Sequence, residues 1–163
     1  GSEYTIGALV LSNFGEEGNL VIGGRHYGSE LLPKVKERLK SDIDSSLAKD
    51  KGSIIMLIAT DIPMSSRQLE RVANRAAIAL GRTGSYMGNG SGDIAIAFST
   101  ANRMPHYSEQ SLIDMKVIHE DAIDKVFEPA VEALEESIIS SLYHAKTTKG
   151  VRGKLVYGLR EFI

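Results

Sequence analysis

The sequence predicts an α/β fold whose sheet is covered on both sides, and three observations carry that expectation. Several short segments rich in β-branched and aliphatic residues are apolar on both faces, as strands between two layers are. Other segments carry apolar residues at helical spacing. The stretch from Ser53 to Thr100 reads strand, helix, strand, the crossover unit that makes two strands parallel.

Each element follows in order. Thr5 to Asn13 is a strand with Ile6, Ala8 and Val10 on one face and Leu9 and Leu11 on the other. "FGEEGN" is a turn, and "LVIGG" the returning strand of a hairpin. Leu31 to Leu47 is a helix with Leu32, Val35, Leu39, Ile43 and Leu47 on one stripe and Pro33 near its start, broken by "AKDKG". Ser53 to Thr60, "SIIMLIAT", is wholly apolar and strand-like. After "DIPMS", Ser65 and Gln68 are spaced as a capping box that opens a helix ending at Gly81. A glycine-rich loop leads to the strand "IAIAFST", so Ser53 and Asp93 open neighbouring strands at one end of the sheet. Residues 103–120 read as loop with a short helix. A long helix runs from about Asp121 to His144, with Pro129 kinking it or marking a restart. The tail "GKLVYGLREFI" adds a last strand or short helix. No repeat or low-complexity linker divides the 163 residues, which read as one domain, 1–163.

Bulk properties narrow the function classes. A net charge of -2 gives no electrostatic footprint for nucleic acid or an anionic membrane. With no cysteine, disulfides, thiol catalysis and thiolate metal sites are excluded. No apolar run reaches the roughly 18 residues of a membrane helix, and no signal peptide is read; a cytoplasmic protein is expected, with a periplasmic or secreted one left open because the start of a longer precursor is not seen.

Among the motifs, Gly81, Gly84, Gly88, Gly90 and Gly92 could expose backbone N–H groups to an anion. The loop precedes a strand and lacks Gly-Lys-Ser/Thr, so it fits neither phosphate fingerprint; helix termination or an active-site rim remains. His26, His106, His119 and His144 have no metal-ligand spacing. Glu135 and Glu136 read as a solvated helix face. Ser2 admits two readings: a tag remnant, or a nucleophile held by the strand that follows it. A serine at a free N-terminus carries its own base, an α-amine of pKa about 7.7–8.0.

"SEYTIGALVLSNFG", "GSIIMLIATDIPMSSRQLERVANRAAIALGRTGSYMGNGSGDIAIAFSTAN" and "VFEPAVEALEESIISSL" resemble the downstream subunit of the autoprocessing serine aminopeptidases. This is the L-aminopeptidase/D-esterase and β-peptidyl aminopeptidase family. The resemblance implies a four-layer αββα sandwich, shared with ornithine acetyltransferase and completed by an upstream chain. It implies a precursor cut before a serine, hydrolysis of N-terminal amide, peptide or ester bonds, and no metal or organic cofactor. Gly1 and Ser2 resemble the scissile pair, with Ser2 as nucleophile and its α-amine as base. Ser53 resembles the hydrogen-bonding serine expected beside Ser2, and Asp93 is the candidate for an orienting carboxylate. While Gly1 is attached, the nitrogen of Ser2 is an amide and no base. The implied partners are the upstream subunit of the same precursor, further copies in a homo-oligomer, and a small peptide or amide substrate. The alternatives are a catalytically silent binding or assembly domain of the same fold, and an amino-acid acyltransferase. The acyltransferase relatives generally use threonine where this chain has serine.

Overall fold

In the computed structural model, residues 3–40, 52–153 and 155–163 are described. The strands are β1 (Ile6–Asn13), β2 (Val21–Ile22) and β3 (Arg25–His26). Helix α1 (Tyr27–Lys40) follows, then β4 (Ser53–Thr60), α2 (Ser66–Ala73), α3 (Ala76–Arg82) and β5 (Ile94–Ser99). The chain closes with α4 (Asp124–His144), β6 (Thr148–Lys149) and β7 (Leu155–Val156).

A three-stranded sheet in the order β1-β4-β5 organises the chain. Strands β4 and β5 are parallel, as the crossover through α2 and α3 requires. Strand β1 runs antiparallel to β4, with Ile6 opposite Thr60 and Asn13 opposite Ser53. The hairpin expected after "FGEEGN" does not form with β1. Val21–Ile22 pairs instead with Arg25–His26 across Gly23 and Gly24, whose φ values of 56° and 78° make a tight turn of their own. A two-residue strand cannot satisfy the ladder of an eight-residue β1, whereas β4 matches it residue for residue.

One face of the sheet forms the core. Ile54, Met56 and Ile58 are fully buried against Leu80, Leu134 and Ile138. Helix α4 lies along β1, where Ser137 Oγ donates to the Ala8 carbonyl and Ser12 and Ser141 bond through their hydroxyls at 2.8 Å. Helix α2 packs on β5, whose inward residues are the small Ala95 and Ala97. The capping box at Ser65 and Gln68 is present. The single helix expected up to Gly81 is two, broken at Asn74–Arg75, where Arg75 turns onto the Phe127 ring at 3.8 Å. The terminator is Gly84, at φ +99°: its N–H bonds the Gly81 carbonyl while Ser85 N–H bonds that of Leu80. Helix α4 continues through Pro129, and a 3-10 turn at Glu120–Ala122 precedes it. Helix α1 starts four residues before the expected Leu31; the remainder of that expectation, and "AKDK", fall outside the described residues.

The other face of the sheet is apolar and open. Three cross-strand rows cover it: Gly7–Ala59–Phe98, Leu9–Leu57–Ile96 and Leu11–Ile55–Ile94. Leu9 and Leu11 are 66% and 72% exposed, so the described residues lay nothing over this face. They therefore supply one helix layer and one sheet of the four-layer arrangement.

Candidate active site

The chemistry-bearing residues gather where β4 and β5 begin. Ser53 opens the central strand, exposed at the mouth of the sheet. Its Oγ accepts the N–H of Gly92 at 3.1 Å. The next residue along the chain, Asp93, extends one carboxylate oxygen to two donors: Ser91 Oγ at 2.6 Å and the Ile54 N–H at 3.3 Å. Since β5 pairs with β4 only from Ile94 opposite Ile55, Asp93 supplies the acceptor that the ladder lacks one residue earlier. The glycine-rich loop thus both terminates α3 and returns its last residues onto Ser53. Gly92 comes this close because it has no side chain; a Cβ there would stand 3.3 Å from Ser53 Oγ.

Asn13 completes the mouth. It is the antiparallel partner of Ser53, so both residues project to the same open face. Sequence reading missed it, because only the β1–β4 register makes the two neighbours. Ser91 was missed as well, although "GSGD" just before the strand held a usable signal, whereas Gly92 lies in the glycine-rich loop for which an active-site rim is one of two readings.

The far end of the sheet holds the described start of the chain. Thr5 N–H donates to Asp61 Oδ1 at 2.7 Å, and Thr60 Oγ1 donates to the Thr5 carbonyl at 2.8 Å. Ser99 Oγ donates to the Ile62 carbonyl at 2.6 Å, and Thr100 N–H to that of Thr60 at 2.9 Å. The motifs "IATDIP" and "FSTAN" serve here to tie strand ends together. Gly1 and Ser2 themselves lie outside the described residues.

The expected pairing of Ser53 with Ser2 lies outside the described residues, since Ser2 is not among them. Ser53 and Asp93 share one site, at the end of the sheet where Asn13 closes β1, while Thr5 and Ile6 lie at the opposite end, eight residues or about 23 Å away.

The remaining candidates play no part there. His26, His106, His119 and His144 are exposed and scattered over separate elements. Glu135 pairs with Arg82 at 3.1 Å on the outside of α4. Among the described residues no group of three or more His, Asp or Glu could hold a metal ion. No described helix is long and apolar enough to cross a membrane.

A hydroxyl at the head of a central strand, held by the Gly92 N–H beside a carboxylate that bonds the next residue, defines a serine-centred site on half an α/β sandwich. The family model of peptidase family S58 matches residues 1–156, and the chain belongs to that family. It is 39% identical over 164 residues to a β-peptidyl aminopeptidase of Sphingosinicella microcystinivorans, covering 98% of this chain and 41% of the relative. A protein of Pyrococcus horikoshii superposes with a TM-score of 0.80 at 47% identity, over 96% of this chain and 40% of that one. The L-aminopeptidase D-Ala-esterase/amidase of Ochrobactrum anthropi, described as a prototype serine aminopeptidase and a variant of the Ntn hydrolase fold, superposes at 0.79 with 34% identity, over 96% and 40%. The chain spans about two fifths of the length of these relatives.

Proposed function

We propose that this chain carries the nucleophile of a serine aminopeptidase, and that the nucleophile is Ser53 in place of Ser2. The observation that carries the reading is the Gly92 N–H on the Ser53 hydroxyl at the head of the central strand, with Asn13 opposite it and Asp93 holding the next residue's N–H and Ser91. Ser53, like Ser2, follows a glycine. Cleavage of the Gly52–Ser53 bond frees the Ser53 nitrogen as an α-amine with a pKa near 7.7–8.0, within reach of its own hydroxyl.

In the cut enzyme the amine takes the Ser53 hydroxyl proton while Oγ attacks the carbonyl of the substrate's first residue. The carbonyl oxygen becomes an oxyanion, for which the Asn13 carboxamide is a donor on the same face; such donors are worth 10²–10³-fold in rate. The leaving amine departs with a proton, and water then hydrolyses the Ser53 ester. Asp93 acts at one remove, holding Ile54 N–H and Ser91 so that Ser53 and Gly92 keep their places. N-terminal amides, peptides or esters are the substrate class, in line with the activities named for the relatives. The open apolar face is the seat of the rest of the precursor, since monomers rarely leave contiguous apolar patches beyond a few hundred Å² uncovered.

The test uses the full-length protein and aminoacyl p-nitroanilides. Ser53→Ala is expected to abolish self-cleavage and hydrolysis, and Ser2→Ala to leave both intact. Cleavage persisting without the Ser53 hydroxyl, or lost without that of Ser2, overturns the assignment. Hydrolysis by the cut enzyme should rise with pH toward about 8 as the amine loses its proton.

A further inference from the structure

The residue before Ser53 has no room for a side chain. A Cβ on Gly52 would lie 1.9 Å from the Asn13 carbonyl oxygen, 2.7 Å from its carbon and 2.7 Å from Phe14 Cα. All three are backbone atoms, at the point where β1 ends and Ser53 faces Asn13, so no rotamer change relieves the overlap. Gly28, Gly84 and Gly158 also abut backbone this closely, but at turns and helix ends away from Ser53, whereas Gly7 and Gly81 meet nothing within 4 Å; Gly52 alone of these adjoins Ser53.

We infer that Gly52 is a positioning residue for self-cleavage: its bare α-carbon, seated against the end of β1, holds the carbonyl that Ser53 attacks. The inference rests on the reading of Ser53 as nucleophile. In that step Ser53 Oγ adds to the Gly52 carbonyl carbon, the Gly52–Ser53 C–N bond breaks, and the hydroxyl proton ends on the released nitrogen. Water then hydrolyses the ester, leaving a carboxylate on Gly52 and a free amine and hydroxyl on Ser53. The hydroxyl is held by Gly92 N–H, and the Gly52 α-carbon that bears the attacked carbonyl is seated against the backbone of Asn13 and Phe14. A methyl at position 52 must move by about 1 Å or more to clear the Asn13 oxygen, and a displacement of that size costs on the order of 100-fold in a reaction governed by positioning. After cleavage Gly52 is no longer bonded to Ser53, so the constraint belongs to maturation alone.

The experiment follows self-cleavage of full-length Gly52→Ala by intact mass over time, with far-UV circular dichroism and thermal melts alongside. Gly7→Ala and Gly81→Ala serve as controls, and Ser53→Ala tests the underlying reading separately. The expected result is a folded Gly52→Ala protein that cuts about 100-fold more slowly, while turnover and KM per cut molecule match the unsubstituted enzyme. Cutting at the unsubstituted rate while Ser53→Ala stays uncut overturns the inference and leaves the nucleophile in place. Failure of Gly52→Ala to fold also overturns it, because position 52 then serves the fold and not the step. A cut that persists in Ser53→Ala removes the reading on which the inference rests.

Discussion

Asp93→Ala removes the acceptor of a buried N–H and should weaken the site in a way that can be measured as stability. Ile54 is fully buried, and its N–H points to Asp93 Oδ1 where β5 has not yet begun to pair. A buried donor left without an acceptor costs about 1–3 kcal/mol. Ser91, half-buried, can turn its hydroxyl to water and adds less. A total near 2–3 kcal/mol lowers the melting temperature by roughly 4–12 °C for a chain of this size. Asp93→Asn keeps an acceptor oxygen and loses only the charge, so it should cost less than half as much, since charge-assisted bonds are about twice as strong as neutral ones. Thermal denaturation of both variants, each carrying Ser53→Ala so that all chains remain uncut, reads the difference directly. An Asp93→Ala melting point within about 2 °C of the parent, or one equal to that of Asp93→Asn, refutes the bracing role.

Three further outcomes follow from other parts of the structure. Gly84→Ala places a Cβ 1.8 Å from the Asn19 carbonyl oxygen at φ +99° and should cost about 3 kcal/mol or more by chemical denaturation; a loss below about 1 kcal/mol contradicts the termination of α3 at that residue. The Glu120 carboxyl is held below the usual carboxylate range by the hydrogen bond from Gln68, then by Arg67 and Arg71. Its folded value being the lower one, its contribution is present above the ordinary carboxylate range and fades as pH falls through the lowered value. Glu120→Gln should therefore flatten the acid limb of melting temperature against pH, and superimposable limbs refute this. Ile96→Lys sits at the centre of the open face and should disrupt assembly of the full-length protein by light scattering, while unchanged assembly and activity contradict the covered-face reading.

Local patterns carried most of the architecture. The two-faced strands, the Ser65–Gln68 cap and the apolar stripe of α4 each express a short-range preference, and each stands in the structure. What depended on long-range pairing was not legible. "LVIGG" has the composition of a returning strand, yet Gly23–Gly24 folds it on itself and leaves β1 to β4. At the break at Asn74–Arg75, Arg75 lies over the ring of Phe127, some fifty residues away, a contact no local pattern reports. The site shows the same division. Ser53 and Asp93 were recognisable as strand-opening residues at one end, because the crossover makes their strands parallel. Which end that is relative to the start of β1 is set by the antiparallel register of β1, and no local signal reports it.

The N-terminal residue of the mature downstream subunit tests the central claim most directly. Full-length protein allowed to mature, separated under denaturing conditions and sequenced from the N-terminus should yield a subunit beginning Ser-Ile-Ile-Met, cut between Gly52 and Ser53. A mature subunit beginning Ser-Glu-Tyr-Thr would return the nucleophile to Ser2 and contradict the account.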